Sequence, residues 1–452
     1  MIEREEGVNT RRTRIIIGLI VIAALGYYFF LRSKPLGPMG EVVSPDEDYL
    51  TAQIVASALS MVNASHRTMA AKPLPGNPPG APATAYPTST SANAIQPYRR
   101  DVHAKTHGCV KATFHVLENL DPKYRQGVFA NPGEYEAWIR YSSGNTLVLK
   151  DSIKDARGMA IKLMGVPGRK LLEDAGVPHA ETQDFVMMNA TQFFILNLPE
   201  YLVFTQYLGE GSNYGYFLGG FTPDLPAKNW SKMFNFSSYH PREMMLAMNT
   251  LKPPPDSLLN TQFYSVSAYK LGNENVVKYS MRPCSDARAA DVDRSQPNFL
   301  RDEMTAHLKD RDACFEFLVQ LQVPGKNMPV EDTTVEWSES DSPFIPVARI
   351  EINKQSFVEN QETCESLSYN PWHSLPAHQP LGVMNRIRKS LYLGVSRYRR
   401  GMNNVPLCEP KDWNGPDENS CETVENSIAT PGDSASIQDT AKQGTKAKKP
   451  GY

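Results

Sequence analysis

An uncharged run of 17 residues, residues 15–31, lies near the N-terminus. As a helix it spans roughly 25 Å, the short end of what crosses a bilayer. Tyr27 and Tyr28 suit the interface between lipid and water. We therefore predict one transmembrane helix over residues 15–31, preceded by a short tail over residues 1–14.

Basic residues flank this run on both sides, which argues against a buried core helix. Four arginines precede it, and Arg32 and Lys34 follow it. The excess before the run favours a cytoplasmic N-terminus. This predicts a single-pass protein of the plasma (inner) membrane whose core is extracytoplasmic, in the periplasm. A cleavable signal peptide is the alternative, although the run is long for one and no A-x-A site follows it.

Composition divides the rest of the chain. Seven prolines within residues 72–97, separated by Ala, Ser and Thr, indicate an extended spacer. Residues 46–61 have apolar side chains at helical spacing behind an acidic start, which predicts an amphipathic helix packed on the main domain. We assign residues 32–97 to this helix and linker and residues 98–420 to the core. Residues 421–452, rich in Ser, Thr, Ala, Lys and Gly, are predicted to be a disordered tail.

The core changes from strand patterns to helix patterns along its length. Four early stretches are typical of strands: residues 110–117, 137–141, 158–163 and 185–188. Residues 263–271 and 275–281 flank a Gly-Asn turn and indicate a hairpin. Residues 300–321 and 381–399 have helical spacing. Strands early and helices late predict an α+β fold.

Two local patterns could carry chemistry. His103 and His107 stand four apart, and on a helix both would face one way and could bind zinc. Gly108 and the β-prone stretch after it instead indicate a loop entering a strand, where that spacing brings no such convergence. Arg388 and Tyr392 stand i, i+4 on a predicted helix, where the arginine favours a phenolate suited to ferric iron. A basic amphipathic helix with a buried tyrosine is the alternative.

Five segments, taken in order, resemble motifs of the haem catalase family. Residues 100–105 (RDVHAK) resemble R-x-V-H-A-K, residues 140–142 (RYS) resemble R-[FY]-S, residues 155–162 (DARGMAIK) resemble D-x-R-G-x-A-x-K, residues 184–195 (DFVMMNATQFFI) resemble D-x-V-x-N-N-x-x-x-F-F-I, and residues 388–392 (RKSLY) resemble R-x-x-x-Y. The similarity is to the short, core-only branch of catalase-related peroxidases. It implies a catalase-like antiparallel β-barrel with surrounding helices and a buried haem b.

The resemblance implies which residues hold the haem. Tyr392 would be the axial ligand of the haem iron, as tyrosine is in catalases, and Arg388 would keep its phenol ionised. Three further arginines would pair with the haem propionates, because guanidinium suits carboxylate through its bidentate fork. They are Arg100, Arg140 and Arg399.

On the open side of the iron, the resemblance implies three catalytic residues. His103 would act on peroxide as general base and then general acid, and Ser142 would hydrogen-bond its other nitrogen. In a gapless alignment the family's distal asparagine falls on Met188, so Asn189 takes that role through a one-residue shift. Gly144 stands where the family has a valine lining the peroxide channel, which predicts a roomier distal side.

The predicted function is a membrane-anchored haem oxidoreductase that breaks down hydrogen peroxide or organic hydroperoxides, as a catalase or peroxidase in oxidative-stress defence. A fatty-acid hydroperoxide rearranging enzyme, similar to allene oxide synthase, is one alternative, and its substrate would be a lipid hydroperoxide. Others are a non-catalytic haem-binding or sensing module and a barrel that has lost haem. With 47 basic and 49 acidic residues, no nucleic-acid partner is expected. A homo-oligomer stays open, because the family's tetramer-supporting arm and later domain have no counterpart here.

The cysteines are too sparse for a disulfide scaffold. Cys408 and Cys421 flank a loop rich in Pro and Asn, and in an oxidising compartment they are the predicted pair. Four others are spread through the core and are not paired from the sequence: Cys109, Cys284, Cys314 and Cys364.

Overall fold

The structure, a computed structural model, describes residues 38–71, 97–284 and 289–422. Within these residues, nine antiparallel strands form one sheet in the order β5-β4-β3-β2-β1-β9-β8-β7-β6. The strands are β1 Lys105–Val116, β2 Gly133–Ser143, β3 Arg157–Met164, β4 Thr182–Met188, β5 Phe263–Tyr264, β6 Tyr269–Leu271, β7 Asn275–Pro283, β8 Ala313–Leu321 and β9 Ile345–Ile352. Since β5 pairs with both β4 and β7, eight strands close into a barrel and β6 remains the hairpin partner of β7.

Aromatic side chains fill the barrel. The second half of β1 alternates between buried and half-exposed residues, as a strand with one face on a core does. Its buried Phe114 packs edge-on against Phe317 of β8 at 5.4 Å between ring centroids, and Phe185 of β4 meets the same ring at 4.7 Å. The interior is therefore a packed core, and the cavity that matters for function lies outside the barrel wall.

Helices surround the barrel. They are α1 Glu47–Ala71, α2 Leu198–Gly209, α3 Pro241–Thr250, α4 Phe299–Asp310, α5 Gln361–Ser366 and α6 Val383–Met402. Ile54 and Ala58 of α1 are buried against Leu391 of α6, which confirms the predicted amphipathic helix packed on the main domain. That helix continues past residue 61, its predicted end. A two-stranded ribbon, β10 Pro410–Asp412 with β11 Gly415–Pro416, follows α6.

Most predicted elements are confirmed, and one is wrong in its second half. Strands β1 to β4 contain the four predicted strands, the β6–β7 hairpin turns at Gly272, and α6 matches the predicted helix over residues 381–399. The predicted helix over residues 300–321 ends at Asp310, and β8 follows it. The fully buried Phe315, Phe317 and Val319 recur every second residue, so the strand period prevails between β7 and β9.

Three predicted segments lie wholly or largely outside the described residues: the transmembrane run 15–31, the proline-rich spacer and the tail. Among the helices that are described, none is both long and apolar enough to cross a membrane. Three disulfides tie the described domain together: Cys109–Cys364, Cys284–Cys314 and Cys408–Cys421. The predicted pair is confirmed, and the four unassigned cysteines form the other two bonds.

Candidate active site

A cavity enclosing about 660 Å³ of empty space separates the barrel wall from helix α6. His103 lies on one side of it, just before β1, and Tyr392 of α6 lies on the other. Other residues that line it are Arg100, Arg140, Ser142, Tyr369 and Arg399. The structure therefore brings these seven residues together from segments up to nearly 300 positions apart. All of them except Tyr369 were predicted.

The backbone of His103 is held in a left-handed conformation with φ of 57°. Residues other than glycine typically pay about 1–3 kcal/mol for such a conformation, so their surroundings must enforce it. Here His103 N donates to the Gly144 carbonyl at 3.2 Å, and Arg140 Nη2 donates to the His103 carbonyl at 2.8 Å. A Cβ at Gly158 of β3 would lie 2.7 Å from the His103 ring. Only glycine fits there.

The imidazole of His103 is oriented by β2. Its Nδ1 lies 2.9 Å from Ser142 Oγ, the contact that the resemblance implies. Burial, together with the nearby charges of Arg140 and Arg100, lowers the pKa of His103 to about 3. The ring is therefore neutral at pH 7, and Nε2 can act as a base when Nδ1 carries the proton and donates to Ser142.

On the opposite side, α6 presents Tyr392 with Arg388 one turn before it. Arg388 Nη2 donates to Tyr392 Oη at 3.2 Å, and Arg388 Nη1 donates to Asn385 Oδ1 at 3.0 Å. Burial opposes the charge of Arg388, but Tyr392 and Tyr269 outweigh it and raise the pKa of Arg388. The guanidinium of Arg388 therefore stays charged and directs a donor at Tyr392 Oη, the oxygen that the resemblance assigns to the iron.

Four arginines meet around one carboxylate at the edge of the cavity, and we call Arg99, Arg100, Arg140 and Arg399 the arginine cluster. Arg399 lies two turns after Tyr392, on the same face of α6. The carboxylate belongs to Glu365 of α5, whose Oε2 accepts from Arg100 Nη1 at 3.1 Å. Arg399 Nη1 donates to the Glu365 carbonyl at 2.5 Å.

Positive charge exceeds negative charge in the arginine cluster. Burial, Arg100 and Arg400 hold the pKa of Arg399 well below its usual range, although Glu365 opposes them. Arg399 Nε is buried with no hydrogen-bond partner among the described residues. A ligand with carboxylate groups would relieve this excess. With this excess of positive charge, a phenol on one side and a neutral imidazole on the other, the cavity fits the haem that the resemblance implies.

Asn189 is placed differently from the other predicted site residues. Its Oδ1 accepts from Arg157 N at 2.7 Å, and its own N donates to the Arg157 carbonyl at 2.9 Å. Among the described residues that line the cavity, neither Asn189 nor Met188 appears, whereas Met187 does. Met188 is the last residue of β4 and pairs with Gly158. The amide role of Asn189 therefore stays a prediction.

The contacts of Gly144 and His107 bear on two further expectations, the roomier distal side and the zinc site. A Cβ at Gly144 would meet Asp155 Oδ1 at 3.1 Å and the Ala156 Cβ at 3.3 Å, so those residues fill the space beside Gly144. His107 lies within β1, where its Nε2 is 2.8 Å from Ser143 Oγ, so the loop entering a strand is confirmed. The part of the chain that the structure describes holds no cluster of His, Cys, Asp or Glu suited to a metal ion.

Sequence reasoning missed Glu365 and Tyr369. Neither belongs to a motif, and α5 is too short for its periodicity to indicate a site. Glu365 follows Cys364, whose disulfide with Cys109 fixes α5 against β1. Cys364 was the sequence feature nearest to Glu365, but its disulfide partner was not predicted.

Comparisons with known proteins agree with this geometry. The sequence profile of the family described as Catalase matches residues 93–420. A catalase from an Onchocerca volvulus endobacterium is 23% identical over 337 residues, and catalase A from Pseudomonas putida is 24% identical over 345. These matches cover 68% of this chain but only 63% and 64% of the two relatives.

Solved structures show the same fold. A fungal catalase superposes with a TM-score of 0.52 at 17% identity, covering 68% of this chain and 60% of that one. Catalase A from Saccharomyces cerevisiae gives a TM-score of 0.50 at 14% identity, covering 68% of this chain and 63% of that one. At these identities the likeness concerns the fold alone.

Proposed function

The chain belongs to the catalase family, and from this premise we propose that its core breaks down hydrogen peroxide or organic hydroperoxides on a bound haem b. One observation carries the proposal: the cavity places His103 opposite Tyr392, with the arginine cluster at its edge. Tyr392 would ligate the iron, and Arg100, Arg140 and Arg399 would hold the propionates. A ferric haem supplies the redox chemistry that cleaves the peroxide O–O bond.

The chain's own residues would manage the proton. Neutral His103 would accept the peroxide proton at Nε2 and later release it to the departing oxygen. The Ser142 hydroxyl would accept a hydrogen bond from Nδ1 and so keep Nε2 unprotonated. Arg388 would donate its hydrogen bond to Tyr392 Oη while that oxygen ligates the iron. Each role uses a contact described above.

We also propose that residues 15–31 anchor the protein in the plasma (inner) membrane with the core outside the cytoplasm. The three disulfides support this location, because disulfides persist in oxidising compartments and are rare in the cytosol. Protease added to intact spheroplasts should digest the core. A core that stays protected until the cells are lysed would reverse the topology.

The first test of the activity is an absorbance spectrum of the purified chain, followed by oxygen evolution from hydrogen peroxide. Tyr392→Phe should lose most of its haem. A Soret band and spin state equal to those of the wild type would show that Tyr392 is not the ligand.

His103→Gln should keep haem but lose about 10²–10⁴-fold in turnover, the usual worth of general acid–base catalysis, because glutamine cannot take the proton. His179→Gln, at an exposed histidine, is the matched control and should leave turnover unchanged. Oxygen evolution also separates the proposal from a haem-sensing module, which would bind haem without turnover. Unchanged turnover in His103→Gln would show that His103 is not the acid–base group.

A further inference from the structure

A basic and aromatic segment covers one side of the domain. Residues 225–242 contain no Asp or Glu. They carry three cationic side chains, Lys228, Lys232 and Arg242, and four aromatic ones, Trp230, Phe234, Phe236 and Tyr239. Cationic and aromatic side chains together are the composition of protein surfaces that lie at a membrane interface. We call residues 225–242 the basic–aromatic segment.

The aromatic rings of this segment point away from the core. Trp230, Phe234 and Phe236 are 60%, 74% and 66% exposed. Scattered apolar residues on a surface need no explanation, but three such rings within seven positions form a patch, and patches mark interaction sites. The exposed Met245 and Met248 of α3 continue the apolar surface along the chain.

The segment is held in a defined shape. Tyr239 Oη donates to the Met233 carbonyl at 2.6 Å, and the Phe236 and Tyr239 rings meet edge-on at 5.3 Å between centroids. Lys228 Nζ lies 5.7 Å from the centre of the Trp230 ring. The ring exposure therefore belongs to a built surface, with cations beside the rings.

The segment ends close to the point where the described chain begins. Arg242 Nη2 donates to Thr334 Oγ1 at 2.8 Å. Four residues before Thr334, Val330 packs near Gly40, and a Cβ there would meet Val330 Cγ2 at 3.6 Å. Four residues span at most about 14 Å, so the residues that contact Arg242 and Gly40 lie close together in the chain.

The position of the first described residues limits where a bilayer crossed by residues 15–31 can lie. Glu41 Oε1 accepts from Arg386 Nη1 at 2.8 Å, which fixes the start of the described chain on α6. Only residues 32–37 separate that start from the apolar run 15–31, and they reach at most about 25 Å. A bilayer crossed by residues 15–31 would therefore lie within that distance of Pro38, near the part of the domain that Arg242 contacts.

We propose that the basic–aromatic segment lies on the bilayer that residues 15–31 cross, with Trp230, Phe234 and Phe236 among the lipids and Lys228 and Lys232 on anionic headgroups. The inference rests on the anchor of the proposed function. The domain would then be held on the membrane at two points. One face would be fixed toward lipid, and the domain would not swing freely on a tether.

The test uses the full chain in vesicles of phosphatidylcholine and phosphatidylglycerol. All six native cysteines are paired, so a nitroxide label will react with a single introduced thiol. Phe234→Cys places the label in the segment, and Lys123→Cys, at an exposed residue outside the segment, is the matched control. Electron paramagnetic resonance then compares collisions with oxygen, which enters lipid, and with a water-soluble nickel chelate.

We expect the label at position 234 to favour oxygen and the label at position 123 to favour nickel. Adding Lys228→Glu and Lys232→Glu to the Phe234→Cys chain should reduce the oxygen preference by about twofold or more, since repulsion from anionic lipid replaces attraction. An unchanged visible spectrum will show that these surface variants are folded.

Two results would overturn the inference while leaving the anchor intact. One is a chain that resists alkaline carbonate extraction but carries a water-exposed label at position 234. The other is dipolar broadening between labels at position 234, which would assign the surface to a second copy of the chain. A chain released by carbonate would overturn the anchor and the inference together, and the spectrum and oxygen evolution would still report on the haem domain.

Discussion

Two buried groups of charged residues lie beside the cavity, and they differ in charge balance. One is the arginine cluster around Glu365. The other, which we call the lysine cluster, contains Lys162 of β3, Asp184 of β4, His373 and Glu409. The lysine cluster is buried, the arginine cluster is buried except for the partly exposed Arg100 and Glu365, and both join segments far apart in the chain. A buried charge is costly unless it is paired, so each group must find its counter-charge somewhere.

The lysine cluster finds that counter-charge within the protein. Lys162 Nζ lies 2.6 Å from Asp184 Oδ1 and also contacts Glu409, while His373 Nδ1 lies 3.3 Å from Glu409 Oε2. Burial opposes the charges of Lys162 and His373, but the two carboxylates outweigh it and raise the pKa of both. Two bases face two acids, so this cluster needs no ligand.

Among the described residues, the four guanidinium groups of the arginine cluster surround one carboxylate, that of Glu365. The pKa of Arg399 is held well below its usual range by burial first, and then by the charges of Arg100 and Arg400. The comparison teaches that buried charge alone does not mark a binding site. An excess of one sign at the edge of a cavity does, because it predicts the charge of a ligand that would bind there.

The largest effect is expected from a substitution that removes the lysine from the lysine cluster. Lys162→Met leaves Asp184 and Glu409 buried without their main cation, and it should lower the free energy of unfolding by about 3–5 kcal/mol. Urea denaturation of the haem-free chain measures this change. Lys309→Met, at an exposed lysine on α4, should change it little. A stability equal to that of the wild type would show that the cluster is not held by Lys162.

The next effect concerns the single carboxylate of the arginine cluster. Burial alone would raise the pKa of Glu365, but Arg100, Arg140 and Arg99 lower it to about 2. A carboxyl whose folded pKa is lowered contributes stability above its unfolded pKa, near 4.5, and that contribution is lost as pH falls toward 2.

Glu365→Gln should therefore destabilise the haem-free chain by about 2–3 kcal/mol at pH 7. The difference from the wild type should shrink as pH falls from about 4.5 to 2, where Glu365 itself becomes protonated. Denaturation midpoints across that range measure both curves. Curves that stay parallel down to pH 2 would contradict the role assigned to Glu365.

The smallest effect on stability is expected for an arginine of the arginine cluster, because its loss should mainly weaken ligand binding. Arg399→Gln removes one cation from a group that repels itself, so the unfolding free energy of the haem-free chain should change little. Haem affinity should fall about 10–100-fold, the worth of one hydrogen bond to a charged group.

Arg397→Gln is the matched control on the same helix. Arg397 pairs with Glu422 at 2.7 Å, away from the cavity, so its loss should leave haem affinity unchanged. Haem titration followed at the Soret band measures both variants. Equal affinities for Arg399→Gln and the wild type would remove Arg399 from the binding site.

Much of the fold could be predicted from local pattern. The strands β1 to β4, the hairpin and α6 each carry their own periodicity or turn signal. The Cys408–Cys421 bond closes a short loop, so its partners are near in sequence. Among the described residues, the predicted helix over residues 300–321 is wrong where β8 lies, because helix and strand patterns are hard to separate in a short apolar run beside a helix.

The site was predictable only in part, for a physical reason. The resemblance to catalase motifs indicated His103, Ser142, Arg388 and Tyr392, and the structure brings these side chains to the cavity or beside it. The same reasoning could not place Asn189, because one residue along β4 decides which side of the strand a side chain faces.

Local sequence pattern indicated strands β1 to β4 and the helix that carries Tyr392, since each depends on neighbours a few positions away, and the family resemblance indicated the types of residue at the site. Tertiary structure alone decided the balance of charge. Glu365 reaches Arg100 across 265 positions, and Glu409 reaches Lys162 across 247. Coulomb interactions depend on distance in space and on burial. Neither can be inferred from the spacing of residues along the chain.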